Sequence, residues 1–291
     1  MGFSLKGRYA IVTGANRGLG FEIAKAYVMS GAGVLLCARD GEELEAAALR
    51  IGDLTESRDL VSWESGDVSD PEDVKRIVDS ALKHFPTLDI LVNNAGVYGP
   101  KGEIERVDWE DWIKAIQINL FGSVMMVRAV LPHFKKLGHG KIVQLSGGGA
   151  TNPIPRVSAY ATSKAAIVRF SETLAEECRG FGIDVNSIAP GALNTRLLDE
   201  ILEAGPEKVG KEFYERALHQ KESGGASLER AASLAVFLGS SESDGITGKL
   251  ISAVWDRWEV WPEHRNELSK SDLYTLRRIT GRDRGLSWGD R

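Results

Sequence analysis

Cysteine is nearly absent from this chain: among 291 residues there are two, Cys37 and Cys178. They form neither a Cys-x-x-Cys pair nor a metal-ligand spacing, which argues against a disulfide framework and for a reducing compartment, the cytoplasm. The five histidines show no ligand-type pairing, so no metal is expected. A block of Lys or Arg is missing too. With a formal charge of -5 and a pI near 5.7, the chain lacks the electrostatic footprint of a nucleic-acid or anionic-membrane binder. The N-terminal "MGFSLKGRYAIVTGA" has an apolar run too short to span a bilayer and no signal-peptide pattern, and Lys6 stands where myristoylation needs Ser or Thr. The expected partner is a small soluble molecule, with neither nucleic acid nor a membrane.

Short apolar, β-branched runs do occur, and they recur: "YAIVTG" from Tyr9, "GVLLCA" from Gly33, "LDILVNNAG" from Leu88, "KIVQLSG" from Lys141, "IDVNSIAPG" from Ile183 and "GKLISAV" from Gly248. Runs apolar on both faces suit parallel strands covered by helices on each side. Amphipathic stretches lie between them, such as "FEIAKAYVMSG", ending at Gly31, and "SDPEDVKRIVDSALKHF", opening with a Ser69/Asp70 cap and Pro71 in its first turn. Repeated βαβ units predict an α/β chain with a Rossmann-like, doubly wound parallel sheet in a single domain. Composition changes after Val254, where the remaining segment holds four of the seven tryptophans. Residues 1–254 therefore read as the nucleotide-binding catalytic domain, and 255–291 as a C-terminal extension packed on it or on a neighbouring subunit.

The turn "TGANRGLG" follows the first strand and opens a helix. Gly14, Gly18 and Gly20 permit a tight turn and close backbone approach, so a pyrophosphate can rest on free amides at the positive end of a helix. At the end of the second strand, "LLCARD" places Ala38 and then Arg39 where an NAD site would carry a carboxylate. Arg39, with Arg17 as a second cation, suits a ribose 2′-phosphate, so NADP(H) is preferred over NAD(H).

In order along residues 9 to about 254, "TGANRGLG", Asp67 in "GDVSD", "NNAG" (93–96), Asn119 in "QINLFG", Tyr160 and Lys164 in "YATSK", and "PGALNT" (190–195) resemble the short-chain dehydrogenase/reductase family, in its short single-domain branch. The resemblance implies a cofactor pocket built from Gly14, Asn16, Arg17, Gly18, Leu19, Gly20 and Arg39. It also implies Asp67 and Val68 at the adenine, Asn93, Ala95 and Gly96 along the fourth strand's end, and Pro190, Gly191 and Thr195 at the nicotinamide carboxamide. Tyr160 and Lys164 would contact both cofactor and substrate, and subunits would pair through the helices near 108–137 and 158–180 into a homodimer or homotetramer.

Tyr160 and Lys164, four apart, share one helical face, and a nearby ammonium draws a phenol's pKa down from its usual value of about 10. Such a tyrosine can give a proton to a carbonyl oxygen and take one from an alcohol. Asn119 would relay protons to Lys164 through a water. The family's substrate-orienting serine, however, falls here on Gly147, while Ser146 lies one position earlier. If the glycines at 147–149 bulge, the Ser146 hydroxyl can swing inward; Thr151 or a backbone amide could serve instead. The expected activity is NADP(H)-dependent interconversion of a carbonyl and a secondary alcohol on a small-molecule substrate, with Tyr160, Lys164, Asn119 and Ser146 as the catalytic set. Two alternatives remain: a non-catalytic NADP(H)-binding sensor, favoured by Gly147, and a sugar-nucleotide epimerase or dehydratase, disfavoured by the lack of a sizeable substrate domain. The segment 193–227 reads as a substrate lid, and Arg156 and the loop Tyr98–Lys101 as mostly solvated charge beside it.

Overall fold

Tyr9–Thr13 forms strand β1, buried at every position after Tyr9, as a strand covered on both faces requires. The structure is a computed structural model and describes residues 2–288; Met1 and 289–291, the last three positions of the C-terminal segment, lie outside the described residues. Strands β2 (Gly33–Ala38), β3 (Val61–Ser65), β4 (Ile90–Asn93), β5 (Gly140–Leu145), β6 (Ile183–Ala189) and β7 (Leu250–Ser252) complete a parallel sheet ordered β3-β2-β1-β4-β5-β6-β7. The order reverses between β1 and β4, and at such a point the crossover helices diverge and leave a crevice beyond the strand ends.

One face of the sheet is covered by α1 (Gly18–Met29), α2 (Gly41–Thr55) and α9 (Leu228–Gly239), whose apolar residues share one core with Val12, Leu36 and Val92. On the other face lie α3 (Pro71–His84), α5 (Ser123–Leu137) and α6 (Ser158–Glu177). Asp70 caps α3 by accepting from the amides of Glu72 and Asp73, with Pro71 in the first turn. Before α5 come α4 (Trp109–Ile116) and a π-helical stretch, Gln117–Gly122. The continuous helix 109–137 is long and apolar enough to cross a membrane by length and composition, yet Met126, Val127, Val130 and Phe134 are buried against the sheet. After β6, α7 (Arg196–Val209) and α8 (Lys211–Ser223) form a small apolar lobe of their own with Val157, Tyr98 and Tyr160.

The C-terminal segment packs onto this body. Trp258 and Trp261 are 2% and 4% exposed, and Trp258 lies between Phe237, at 5.5 Å, and the Arg230 guanidinium, at 4.7 Å. Further on, Tyr274 O accepts from Leu250 N at 2.8 Å, and Lys249 Nζ donates to Ser271 O and Leu273 O, so the segment covers the open edge of β7. Trp255, in contrast, is 85% exposed. Trp258→Ala should therefore cost about 3–5 kcal/mol in urea unfolding, the range for truncating a core aromatic. Trp255→Ala should stay within about 0.5 kcal/mol of the parent; equal losses would contradict this packing.

Candidate active site

The exits of β1 and β4 are stapled together by two side chains. Thr13 Oγ1 accepts from the amides of Asn94 and Ala95 at 3.0 and 3.1 Å, and Asn94 Nδ2 donates to the carbonyls of Thr13 and Gly14. This staple holds the glycine loop tight: a Cβ on Gly20 would lie 2.1 Å from Gly14 O, and one on Gly14 would lie 2.9 Å from Asn94 Nδ2. Gly14 also sits at φ +64°, where side chains are strained. Sequence reasoning quoted "NNAG" without a role for Asn94; the signal was there, in the polar residue beside a buried strand end. Arg17, at the N-cap of α1, contributes no side-chain cap, and the helix starts at Gly18. The amides of Gly18, Leu19 and Gly20 are thus the unpaired first-turn donors that an anion fits, while the Leu19 side chain is buried in the core.

At the outer end of the crevice, Arg39 is exposed and makes no ion pair among the described residues. Arg17 instead pairs with Glu43 at 3.2 Å, and Asn16 Nδ2 donates to the same carboxylate. Asp67 Oδ1 accepts from the amide and hydroxyl of Ser69, so this carboxylate caps its own turn, and Val68 beside it packs under Gly122. Asn93 faces away from the crevice: it is 4% exposed and its Nδ2 donates to Ser123 O at the start of α5. Its side chain therefore holds β4 to that helix, and what it can offer a cofactor is its backbone at the strand's end, beside Ala95 and Gly96. Across the crevice, Thr195 begins α7, and its Cγ2 would lie 3.7 Å from a Cβ on Gly18; Pro190 and Gly191 lead into it from β6.

Tyr160 and Lys164 lie on one face of α6, the ammonium 5.5 Å from the ring centre. Lys164 is 6% exposed and donates to Leu145 O at 2.7 Å. Asn119, in the π-helical stretch, is 1% exposed; its Oδ1 accepts from Val97 N, and its Nδ2 donates to Val97 O and Ser163 Oγ. A π-turn here swings Asn119 toward the site that a regular helix would miss. A side chain at Gly96 would meet Asn119 Oδ1 at 3.3 Å and Lys164 Nζ at 3.6 Å, so the glycine lets these three elements meet.

Two expectations change. Burial outweighs the ammonium at Tyr160: desolvation, with a small addition from Tyr98, pushes its phenol pKa up rather than down. Desolvation likewise lowers Lys164, to about 8. And Ser146 does not swing inward. Gly147 is extended, at φ 173°, so no bulge forms, and the buried Ser146 hydroxyl donates to Lys164 O at 3.2 Å. It is Gly147 that faces the phenol, since a Cβ there would lie 2.8 Å from Tyr160 Oη. Thr151 is exposed and accepts from Asn152 Nδ2.

On its other side Tyr160 is covered by Tyr98, with ring centres 4.5 Å apart. Beyond Tyr98 opens a cleft of about 410 Å³ lined by Gly99, Lys101, Glu200, Glu203 and Lys208. Lys101 pairs with Glu200 at 3.2 Å and lies over the Tyr98 ring at 5.6 Å. Arg156 is not a solvated charge but a brace: at φ 69°, it donates to Glu207 O and pairs with Glu103, joining the loop before α4 to the end of α7.

The sequence profile of the short chain dehydrogenase family matches residues 8–205. The chain is 31% identical over 260 residues to a short-chain type dehydrogenase/reductase of Picea abies, covering 85% of this chain and 91% of that one. It is 34% identical over 206 residues to 11-beta-hydroxysteroid dehydrogenase-like 3 of Arabidopsis thaliana, covering 71% of this chain but only 64% of that one. Among solved structures, a gluconate 5-dehydrogenase from Burkholderia cenocepacia in complex with NADP and tartrate superposes with a TM-score of 0.75 at 26% identity, over 86% of this chain and 94% of that one.

The lowered Lys164 makes a pH prediction for the cofactor-free protein. Its folded pKa of about 8 lies below its ordinary 10.5, so between those values the unfolded chain holds more protons. The contribution of this group to stability should rise as pH climbs through that window. Lysine Cε NMR should show one resonance titrating near pH 8 that is missing in Lys164→Met; a Lys164 that stays charged to pH 10 would refute it.

Proposed function

The chain belongs to the short-chain dehydrogenase family, oxidoreductases of hydroxyl and carbonyl groups that use a nicotinamide cofactor, and on that premise we propose that it interconverts a carbonyl and a secondary alcohol with NADP(H) and Tyr160 as proton donor and acceptor. The observation that carries this reading is the meeting of Tyr160, Lys164, Asn119 and Gly96 at the mouth of the crevice that the glycine loop opens.

The free first-turn amides of α1 suit the pyrophosphate, and the unpaired Arg39 suits a 2′-phosphate, with Arg17 able to exchange Glu43 for it. Asp67 and Val68 would flank the adenine; Ala95, Gly96, Pro190, Gly191 and Thr195 would line the nicotinamide end, with Lys164 at its ribose. When bound, the nicotinamide supplies or accepts the hydride. The phenol of Tyr160 is protonated at neutral pH, as donation to a carbonyl oxygen requires, and the charge developing there must draw the proton off a group that burial makes a weaker acid. Lys164, titrating near 8, can restore that proton, and Asn119 fixes the backbone around it through Val97 and Ser163.

The bond made by Ser146 to the α6 backbone supports a role in positioning rather than in touching substrate. Trp109 and Phe121, 60% and 52% exposed along the apolar helix 109–137, support pairing into a homodimer or homotetramer through that face. Two buried free cysteines suit a reducing cytoplasm.

NADPH oxidation should be seen with some member of a panel of ketones, keto sugars, quinones and oxoacyl thioesters. Tyr160→Phe should lower kcat by about 10²–10⁴ with NADPH affinity unchanged. Arg39→Ala should weaken NADPH binding by about 10- to 100-fold, the worth of a charge-assisted hydrogen bond, and leave NADH binding alone. Tight NADPH binding with no turnover across the panel would replace the reductase by a non-catalytic NADP(H)-binding protein.

A further inference from the structure

Neither Ser146 nor Thr151 brings a hydroxyl to the one on Tyr160. Ser146 is committed to Lys164 O, Thr151 lies out in the exposed loop, and at Gly147 there is no side chain. The glycine is not demanded by the backbone, because its extended conformation is open to any residue. What it provides is room for the phenol, whose oxygen fills the place a side chain would take. The 2.8 Å between a Cβ at 147 and Tyr160 Oη means that a side chain there would displace the phenol or be displaced.

A carbonyl oxygen gathering negative charge is stabilised by a second hydrogen-bond donor, and losing one such donor costs about 10²–10³ in rate. The protein supplies Tyr160 and, at position 147, no side-chain donor beside it. A hydroxyl on the carbon next to the reacting one lies within hydrogen-bond distance of the reacting oxygen, so a substrate of that kind brings the missing donor itself.

The cleft beside the site matches such a molecule in a second way. Its volume of about 410 Å³ is in the range for a small ligand. Two cations, Lys101 and Lys208, and two anions, Glu200 and Glu203, line it, so its charge is balanced while its donors and acceptors are many. Lys101 is already neutralised by Glu200. That wall offers an anion or a cation no net attraction and offers hydroxyl groups many partners. Tyr98, its ring tilted against that of Tyr160 and lying under Lys101 of the cleft wall, stands between the two places.

We propose that the substrate is an uncharged carbonyl compound with a hydroxyl on the adjacent carbon, or the corresponding vicinal diol, and that this hydroxyl supplies beside Tyr160 the donor that no side chain at position 147 provides. The proposal rests on the oxidoreductase reading above and specifies its substrate class.

Matched pairs test it: acetoin against butanone, and the α-hydroxy derivative of cyclohexanone against cyclohexanone, each with NADPH. The hydroxylated member should have the higher kcat/KM by about 10². Gly147→Ser, which returns a hydroxyl to the protein, should raise turnover of the plain ketones and collapse the ratio, whereas Gly147→Ala, which adds bulk alone, should not. Calorimetry of the NADP-bound wild type should rank vicinal butanediol above secondary butanol without any turnover being needed. Equal rates within the pairs, or a panel in which only compounds without the adjacent hydroxyl react, overturn this proposal and leave the oxidoreductase reading standing. Should Gly147→Ser fail to fold, the wild-type ratio and the calorimetric ranking decide alone. Turnover of nothing at all overturns both.

Discussion

The site depends on a reciprocal clasp between the end of β5 and the middle of α6. Lys164 Nζ donates to Leu145 O, and one residue later along the strand Ser146 Oγ donates back to Lys164 O. Both bonds are buried, where an unpaired partner would bear its full desolvation cost. Together they fix the depth and rotation of α6 against the strand, and thereby bring Tyr160, one turn earlier, against Gly147. The serine that looked like a misplaced catalytic hydroxyl is used up in this joint. Its shift by one position then has a consistent reading: just past the end of β5, Ser146 is bonded to the α6 backbone at Lys164, while Gly147 abuts the phenol of Tyr160 one turn earlier on the same helix.

Most of this fold was legible because its main signals are local. Runs apolar on both faces marked β1, β2, β4, β5 and β6, and Asp70 with Pro71 marked the start of α3. Strand β3 was hidden, because "VSWES" is an edge strand with no fully buried residue, and its mix of Ser, Trp and Glu carries no apolar run. Within the site, the residues that act through position were readable: the glycines, Lys164 and the tyrosine four before it. What could not be read was direction. Asn93 and Asn94 are neighbours of the same type, yet one ties β4 to α5 and the other ties β4 to the glycine loop, a choice made by the strand's alternation in three dimensions. Arg17 and Arg39 differ in the same way, since the pairing of Arg17 requires Glu43 to reach back from a helix that sequence spacing does not bring near.

The electrostatics reverse a simple pairwise expectation, and the reversal bears on direction. An ammonium near a phenol should favour phenolate, but both groups are taken out of water and neither has an oppositely charged neighbour close enough to compensate. Burial therefore drives each toward its neutral form: the tyrosine holds its proton more tightly, the lysine less. In the protein without its cofactor, Lys164 is the more acidic of the two. Such a pair rests with the proton on the tyrosine oxygen, held there by burial. Abstraction from an alcohol would need an added positive charge in the crevice to bring the phenol down, and the oxidised nicotinamide ring carries one.

Gly147 and the raised phenol pKa meet at one atom: the Tyr160 oxygen abuts the glycine, and burial there, with Tyr98 beside it, raises its pKa. A serine at this position would hydrogen-bond the tyrosine oxygen and stabilise its charged form, while its Cβ would press on the ring. Without it, the phenol settles into the space, loses that partner, and is left protonated and dry, with Tyr98 closing its other side. A substrate of the kind proposed, carrying its own hydroxyl, would supply that bond on arrival. Such a site would select its substrate through the preparation of Tyr160 as well as through the fit of the cleft, so that molecules lacking the hydroxyl could bind and still react slowly.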